Sequence, residues 1–102
     1  MRDFLFEWDP AKNLSNQRKH GVSFEEAAQI FRDPHFLSWK DRVHDGEERW
    51  LACGMVEGLS LLIAAHTVRE ELNDGNEIEV VRILSARRAE PKERRRYEQE
   101  KG

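Results

Sequence analysis

Apolar residues recur with a helical period in one early part of the chain. They are spaced by three and four residues, at Phe24, Ala27, Ala28 and Phe31. This spacing predicts a helix with one buried stripe, which ends before Pro34. Ser23 and Glu26 have the spacing of a capping box, in which the side chain of each residue accepts a hydrogen bond from the backbone N–H of the other. We therefore expect these apolar residues to belong to the core.

A second helix is predicted immediately upstream. Residues 3–8 have the aromatic and aliphatic content of a short strand, and Asp9 and Pro10 then supply an N-cap and a first helical position. The helix should run to about His20, because Gly21 stands where a left-handed C-cap is favoured. The chain thus begins with a strand and two closely spaced helices.

From Phe36 onward the apolar period changes from a helical one to that of strands. Four strand-like runs follow one another, at 36–43, 47–56, 59–69 and 78–86. Asp45-Gly46 and Glu57-Gly58 are tight turn signals, and 70–77 is predicted to be a longer loop. No connection is long enough for a crossover helix, so the runs predict an antiparallel meander.

The final segment is predicted to be a helix that starts at Pro91. Its apolar content is limited to Ala89 and Tyr97. Such a helix either docks through side-chain stems and charge pairs or remains mobile. The expected fold class is α+β: an N-terminal strand, two helices, a meander of about four further strands and a C-terminal helix. One face of the sheet should be only partly covered, which makes it the expected place for chemistry.

Strand alternation gives an expected face to each candidate polar residue. In the third meander strand, His66 lies with Leu62, Ala64 and Val68, and Arg69 lies on the other side. In the last strand, Arg87 is expected to share a face with Val81, Ile83 and Ser85. Arg82 is expected on the opposite face, where a charge within an apolar run needs solvent or a partner.

Composition is consistent with one domain over residues 1–102. Hydrophobic residues make up 38% of the chain, which is sufficient to close one core. No apolar run approaches the ~18 residues of a membrane span, and the N-terminus lacks the pattern of a secretory signal. We therefore expect a cytoplasmic protein. Cys53 is the single cysteine, so it forms no internal disulfide and is predicted to be a core thiol.

Charge is distributed unevenly along the chain. The net charge is −3, yet the segment from Arg82 to Arg96 carries seven basic and two acidic residues, or +5, which leaves −8 for the remainder. A local basic surface of this kind collects RNA despite the acidic whole, with an affinity that falls as salt rises. The four histidines show no H-x-x-x-H pair, so neither a metal nor a cofactor is expected.

Several motifs, in this order, resemble the BrnT family of type II toxins. The matching stretches are FEWDPAKN (6–13), KHGVSFEEAAQIFRD (19–33), GEERW (46–50), HTVR (66–69) and LSARRAEPKERRRYE (84–98). The resemblance implies a small RelE-like fold, a metal-independent ribonuclease that blocks translation, and neutralisation by a BrnA-type ribbon-helix-helix antitoxin. It also suggests a 2:2 heterotetramer in which DNA is contacted only through the antitoxin. Two departures are small: the segment LNDGN looks long, and LSAR replaces ISAR.

A ribonuclease without a metal must activate the 2′-hydroxyl, neutralise the phosphoryl oxygens and protonate the leaving 5′-oxygen. Arginine suits the second role because its planar fork pairs bidentately with phosphate and stays charged. The catalytic candidates are His66, Arg69, Arg87, Arg94 and Tyr97. The RNA-binding candidates are Arg49, Arg82, Arg88 and Lys92.

Each candidate also has a purely structural interpretation. For His66 the structural interpretation, a histidine packed on the sheet and bonded to backbone, is favoured over the catalytic one. Tyr97 either stacks on a base or docks the last helix, with Glu93 then pairing with a neighbouring arginine. Tryptophans 8, 39 and 50 are needed mainly for the core. At the level of the whole chain, the alternative is a non-catalytic α+β binding module that acts as a subunit of a repressor complex.

Overall fold

Five strands in one mixed sheet and three α-helices form residues 4–101, the part of the chain that the computed structural model describes. The elements are β1 (Phe4–Glu7), α1 (Pro10–His20), α2 (Phe24–Ala28) continued by a 3-10 turn (Gln29–Arg32), β2 (Leu37–His44), β3 (Glu47–Val56), β4 (Ser60–Asn73), β5 (Asn76–Arg88) and α3 (Pro91–Lys101). The predicted α+β class and element order are confirmed. Asp3, the first residue of the predicted N-terminal strand, lies outside the described residues. No helix of the described part is long and apolar enough to cross a membrane.

The predicted helix ends are confirmed. The Asp9 carboxylate accepts the Ala11 N–H at 2.9 Å, which caps α1. Gly21 ends that helix with φ +70°, a conformation that glycine adopts without steric cost. Ser23 and Glu26 form the capping box at the start of α2. The sharp Gly21 turn therefore directs α1 into α2 with almost no connecting chain.

The strands are ordered β1-β5-β4-β3-β2 across the sheet. The meander β2 to β5 is antiparallel, and β1 pairs in parallel with β5, from Phe4 opposite Glu79 to Glu7 opposite Arg82. The helices between β1 and β2 allow β1 to reach this far edge. Pairing of β1 beside β5 brings the start of the chain next to the basic segment near its end.

The predicted loop at 70–77 is wrong. β4 and β5 continue to Asn73 and from Asn76, and Asp74-Gly75 closes them with φ +52° and +81° in a tight hairpin turn. The β3–β4 ladder ends at Trp50 opposite His66, so this end of the hairpin extends beyond β3. Its residues are mostly exposed and polar, and for that reason they lack the apolar alternation by which a strand is recognised.

A bulge in β5 also changes one predicted face. Ser85 lies opposite Ala65, whereas Ile83 lies opposite the next residue, His66, so Leu84 is an extra residue in β5. The extra residue reverses the alternation beyond it. Arg87 therefore shares a face with Arg82, and its predicted placement with Val81 and Ile83 is wrong.

Each side of the sheet carries its own apolar cluster. The helices α1 and α2 cover the cluster of Val22, Phe24, Ala27, Ile30, Ala52, Val56, Leu62, Ala64, Val81, Ile83 and Ala86. The helix α3 covers a smaller cluster of Cys53, Leu61, Ile63 and Tyr97. We call the two sides the helix face and the α3 face. Gly54 faces the helix side, where a Cβ would lie 2.8 Å from Ile30 Cγ2, so the close approach of the 3-10 turn requires glycine.

Two buried asparagines of α1 fasten the helix face. Asn16 Nδ2 donates to the carbonyl oxygens of Val22 and Ala86, both at 2.8 Å, and its Oδ1 accepts the Ala86 N–H at 3.1 Å. Asn13 Oδ1 accepts the Phe24 N–H at 2.8 Å, while its Nδ2 donates to Glu25. The amide of Asn16 thus pairs with β5 as a neighbouring strand would, beyond the point where β1 ends.

Candidate functional site

Arginines from three strands project from the α3 face of the sheet within residues 4–101, and we call the surface formed by Arg49, Arg69, Arg82 and Arg87 the arginine face. Arg42 on β2, opposite Arg49, projects from the same side at its border. Cross-strand partners point to the same side of a sheet, and neighbours along a strand point to opposite sides. Arg82 lies opposite Thr67, and Arg87 lies opposite Ile63, a member of the α3-face cluster. The meander and the β5 bulge therefore gather residues far apart in sequence on one surface.

The carboxylate of Glu7 holds two of these arginines. Arg69 donates through both terminal nitrogens to Glu7, at 2.9 and 2.8 Å, and Arg82 donates to the same carboxylate at 3.0 Å. These hydrogen bonds from Arg69 and then Arg82 lower the pKa of Glu7 to about 2. Arg69 also donates to Glu71 at 2.9 Å. The parallel pairing of β1 with β5 places Glu7 here, and the two guanidinium groups are fixed side by side.

Arg87 forms a similar pair with the last helix. Its terminal nitrogens donate to the two oxygens of Glu93 at 2.7 and 2.8 Å, a bidentate geometry. This pairing lowers the pKa of Glu93 and raises that of Arg87. Glu93 also accepts the backbone N–H of Glu90 at 2.9 Å. The helix α3 is therefore attached to the arginine face by charge at its first turn.

Arg49 differs from the other three because no carboxylate among residues 4–101 holds it. Its Nε is buried, and this nitrogen makes no hydrogen bond within residues 4–101. Arg49 lies one residue beyond the last β3–β4 pair, Trp50–His66, and opposite Arg42 on β2. A buried donor without an acceptor costs about 1–3 kcal/mol. An anionic ligand on the arginine face would recover that cost once the Arg49 side chain turned its Nε toward the surface.

Tyr97 attaches α3 to the rest of the fold, and its side chain does not face solvent. Its ring is buried, and its hydroxyl donates to Asp33 Oδ2 at 2.5 Å. The same oxygen accepts the Met55 N–H at 2.7 Å. Burial and then the bond to Asp33 raise the pKa of Tyr97 to about 12. The geometry is that of a docking contact, and Glu93 pairs with Arg87 as that interpretation requires.

The remaining basic candidates lie outside the arginine face. Arg88 is exposed and lies opposite Leu62, on the helix side of the sheet. Arg94 is half-exposed on α3, 4.0 Å from Glu98. Lys92 lies at the mouth of a cleft between α3 and Trp39. Of the four predicted RNA-binding residues, Arg49 and Arg82 thus lie on the arginine face, and Lys92 lies at its border.

His66 is not brought together with the arginines. It is 1% exposed, its ring meets that of Phe31 edge-on at 5.2 Å, and its Nδ1 lies 3.2 Å from the carbonyl oxygen of Ala64. This side chain belongs to the helix face. The arrangement matches the alternative of a histidine packed on the sheet.

The burial of His66 has an expected effect on stability. Desolvation lowers the pKa of His66, so protons bind the unfolded chain more readily and stability declines as pH falls below about 6.5. The paired carboxylates Glu7 and Glu93 have lowered pKa values and lose their contribution only below about 4.5. Urea unfolding should therefore give a free energy of unfolding that falls as the pH is lowered from 7.5 to 5.5. This fall should be smaller in His66→Gln. The exposed His20 gives a control, and an unchanged slope in His66→Gln would contradict the assignment.

Three polar residues of this arrangement were missed in the sequence: Glu7, Asp33 and Asn16. Glu7 lies within an aromatic strand, and a single charge in such a run is a signal that a partner exists. Asp33 precedes Pro34 and reads as an ordinary end of a helix. Asn16 has no signal in a polar helix, because its role depends on the position of β5.

Comparison with known proteins places the chain in a family. Residues 8–93 match the family model described as ribonuclease toxin, BrnT, of type II toxin-antitoxin system. No curated protein matches significantly. The crystal structure of the Brucella abortus ribonuclease toxin BrnT, at 1.1 Å resolution, has 20% sequence identity and a TM-score of 0.55, covering 86% of this chain and 97% of that one. This structural likeness confirms the fold.

The class is thus that of small α+β ribonuclease toxins. The chain belongs to the BrnT family of type II toxin-antitoxin systems, since the family model covers most of its length. The resemblance found in the sequence motifs is confirmed. Membership in such a system implies an antitoxin as partner.

Proposed function

We propose that this chain is a metal-independent endoribonuclease that cleaves RNA on its arginine face and so inhibits translation. The observation that carries the proposal is the unpaired, buried Nε of Arg49 beside arginines that carboxylates hold in place. A phosphodiester is the anion that RNA presents to such a surface.

The chemistry follows from what this surface offers. In the proposed step a ribose 2′-oxygen attacks the adjacent phosphorus, its proton passes to solvent, and the bond to the 5′-oxygen breaks. The departing 5′-oxygen takes a proton from solvent, so the products are a 2′,3′-cyclic phosphate and a 5′-hydroxyl. Negative charge grows on the phosphoryl oxygens during this step, and positioned guanidinium groups stabilise it. Arg49 binds those oxygens in our proposal, since no carboxylate of the described part of the chain competes for it.

The other basic residues orient the RNA backbone. Glu7 keeps Arg69 and Arg82 in fixed positions, and Glu93 does so for Arg87. Arg94 and Lys92 add charge around this site, whereas Arg88 lies on the helix side of the sheet and is not assigned to it. His66 and Tyr97 are buried, and we assign them to the support of the sheet and of α3 rather than to contact with RNA.

Inhibition is proposed to occur by competition for the same arginines. A BrnA-type antitoxin of the ribbon-helix-helix class would lay an acidic segment across the arginine face, in a complex of two toxins and two antitoxins in the cytoplasm. Charge complementarity of this kind excludes RNA directly. DNA would be contacted through the antitoxin.

The proposal is tested by incubating the purified chain with single-stranded RNA in EDTA. We expect cleavage to a 2′,3′-cyclic phosphate, identified by mass spectrometry. An oligonucleotide with 2′-deoxyribose throughout should remain intact because it lacks the attacking oxygen. Intact RNA at high protein concentration, with binding retained, would instead identify the non-catalytic binding module.

A further inference from the structure

A cleft of roughly 270 Å³ opens beside the arginine face, between β2 and α3. Its lining residues are Trp39, Lys92, Glu93 and Arg96. Trp39 lies opposite Leu51 and packs at the border of the α3-face cluster. The guanidinium carbon of Arg96 lies 4.5 Å above the centre of the Trp39 ring. One wall of the cleft is therefore an indole face on which a flat guanidinium group already lies.

We propose that this cleft binds one unpaired nucleobase of the RNA, stacked on Trp39. The proposal rests on the proposed function, since it adds a base-binding position to the same surface. Indole gives the largest stacking area of any side chain, and every base has a π-face that accepts it. The base takes the ring face that Arg96 covers, and Arg96 moves to a neighbouring phosphate.

Trp39 is distinguished from the other two tryptophans by the side on which it lies. Trp8 packs edge-on against Phe24, in the core beneath the helices, with ring centres 6.2 Å apart. Trp50 lies opposite His66 and so faces the helix side. Trp39 alone among the three lies on the side of the arginines. Its position follows from the register of β2 against β3, which places Trp39 opposite Leu51.

The cleft is also linked directly to the arginines. Glu93 lines it and is bonded to Arg87 through both carboxylate oxygens. A base stacked on Trp39 thus lies next to a fixed guanidinium group of the arginine face. Lys92 and Arg96 supply positive charge for the phosphates on either side of that nucleotide. The cleft therefore offers one aromatic platform with charge around it, which is how unpaired bases are commonly held.

The test measures binding separately from cleavage. Fluorescence anisotropy with a 2′-O-methyl RNA oligonucleotide, which lacks a free 2′-hydroxyl, reports affinity for the wild type, Trp39→Ala and Trp39→Phe. We expect Trp39→Ala to weaken binding by about 10-fold, and Trp39→Phe by less than about 3-fold, because phenylalanine still stacks. Competition by inorganic polyphosphate, which has charge but no bases, should be equal in all three proteins.

Matched variants complete the experiment. Trp50→Ala removes an indole ring from the helix face of the sheet and should leave RNA affinity unchanged. Circular dichroism checks folding, and Trp39→Leu keeps apolar bulk without an aromatic ring if Trp39→Ala does not fold. Unchanged RNA affinity in Trp39→Ala and Trp39→Leu would overturn the base-binding cleft. Two other results would also overturn it: a loss of polyphosphate binding in Trp39→Ala that equals its loss of RNA binding, or a wild type that does not bind the oligonucleotide. A wild type that binds through Trp39 but cleaves no RNA would instead overturn the proposed function alone.

Discussion

Arg49→Ala is expected to lower kcat/KM for RNA cleavage by about 100-fold or more, the usual cost of removing one preorganised donor from a transition state. Glu7 and Glu93 hold the other three residues of the arginine face, whereas Arg49 has a buried Nε without an acceptor among residues 4–101. Its interaction with the phosphate is therefore the one that protein groups do not already satisfy. The measurement is single-turnover cleavage of a short RNA with one labelled end.

The controls separate catalysis from folding and from overall charge. Arg18→Ala removes the same charge from an exposed position on α1, away from the arginine face, and should leave the rate within about 2-fold. Arg49→Lys keeps the charge but loses the planar fork, so we expect an intermediate rate. The thermal midpoint of Arg49→Ala should not fall, because no hydrogen bond of Nε is lost. A cleavage rate equal to wild type would remove Arg49 from the mechanism.

The largest loss of stability is expected from Asn16→Ala. The substitution leaves the carbonyl oxygens of Val22 and Ala86 and the N–H of Ala86 without their partner. Each unsatisfied buried group costs about 1–3 kcal/mol, so the free energy of unfolding should fall by roughly 3 kcal/mol or more. A domain of this size has about 5–15 kcal/mol in total. Urea unfolding followed by circular dichroism measures the loss.

Neighbouring substitutions give the comparison for Asn16. Ser15→Ala changes an exposed residue whose hydroxyl bonds only within α1, at 3.2 Å to Lys12, and should cost less than about 0.5 kcal/mol. Asn16→Asp keeps an acceptor for the Ala86 N–H but loses both donors, so it should also be strongly destabilised. If the urea midpoint of Asn16→Ala equalled that of Ser15→Ala, water would replace the Asn16 amide without cost, which would contradict the prediction.

The sequence predicts this fold well where the signals are local. The caps at Asp9, Gly21 and Ser23, and the turns at Asp45-Gly46 and Glu57-Gly58, depend on residues within a few positions of each other, and they were predicted correctly. The parallel pairing of β1 with β5 joins residues about 75 positions apart, and no local pattern encodes it. The long hairpin beyond Arg69 was missed because a strand with solvent on both sides needs no apolar alternation.

The site was predicted in its chemistry but only partly in its geometry. Clustered arginines indicated a phosphate-binding surface, yet the bulge at Leu84, which moves Arg87 to the face of Arg82, is not readable from alternation. The carboxylates that hold the arginines, Glu7 and Glu93, lie in other elements. His66 and Tyr97 have side chains capable of chemistry, but their burial depends on contacts with Phe31 and Asp33.

The part of β4 beyond its ladder with β3 presents backbone donors and acceptors along a free edge, the kind of surface on which another chain adds a strand and starts an aggregate. Glu70 and Glu71 lie on this stretch and are exposed. If a second copy approached this edge, its Glu70 and Glu71 would come close to the same residues of the first copy. Repulsion between these like charges disfavours the addition of a second copy at this edge.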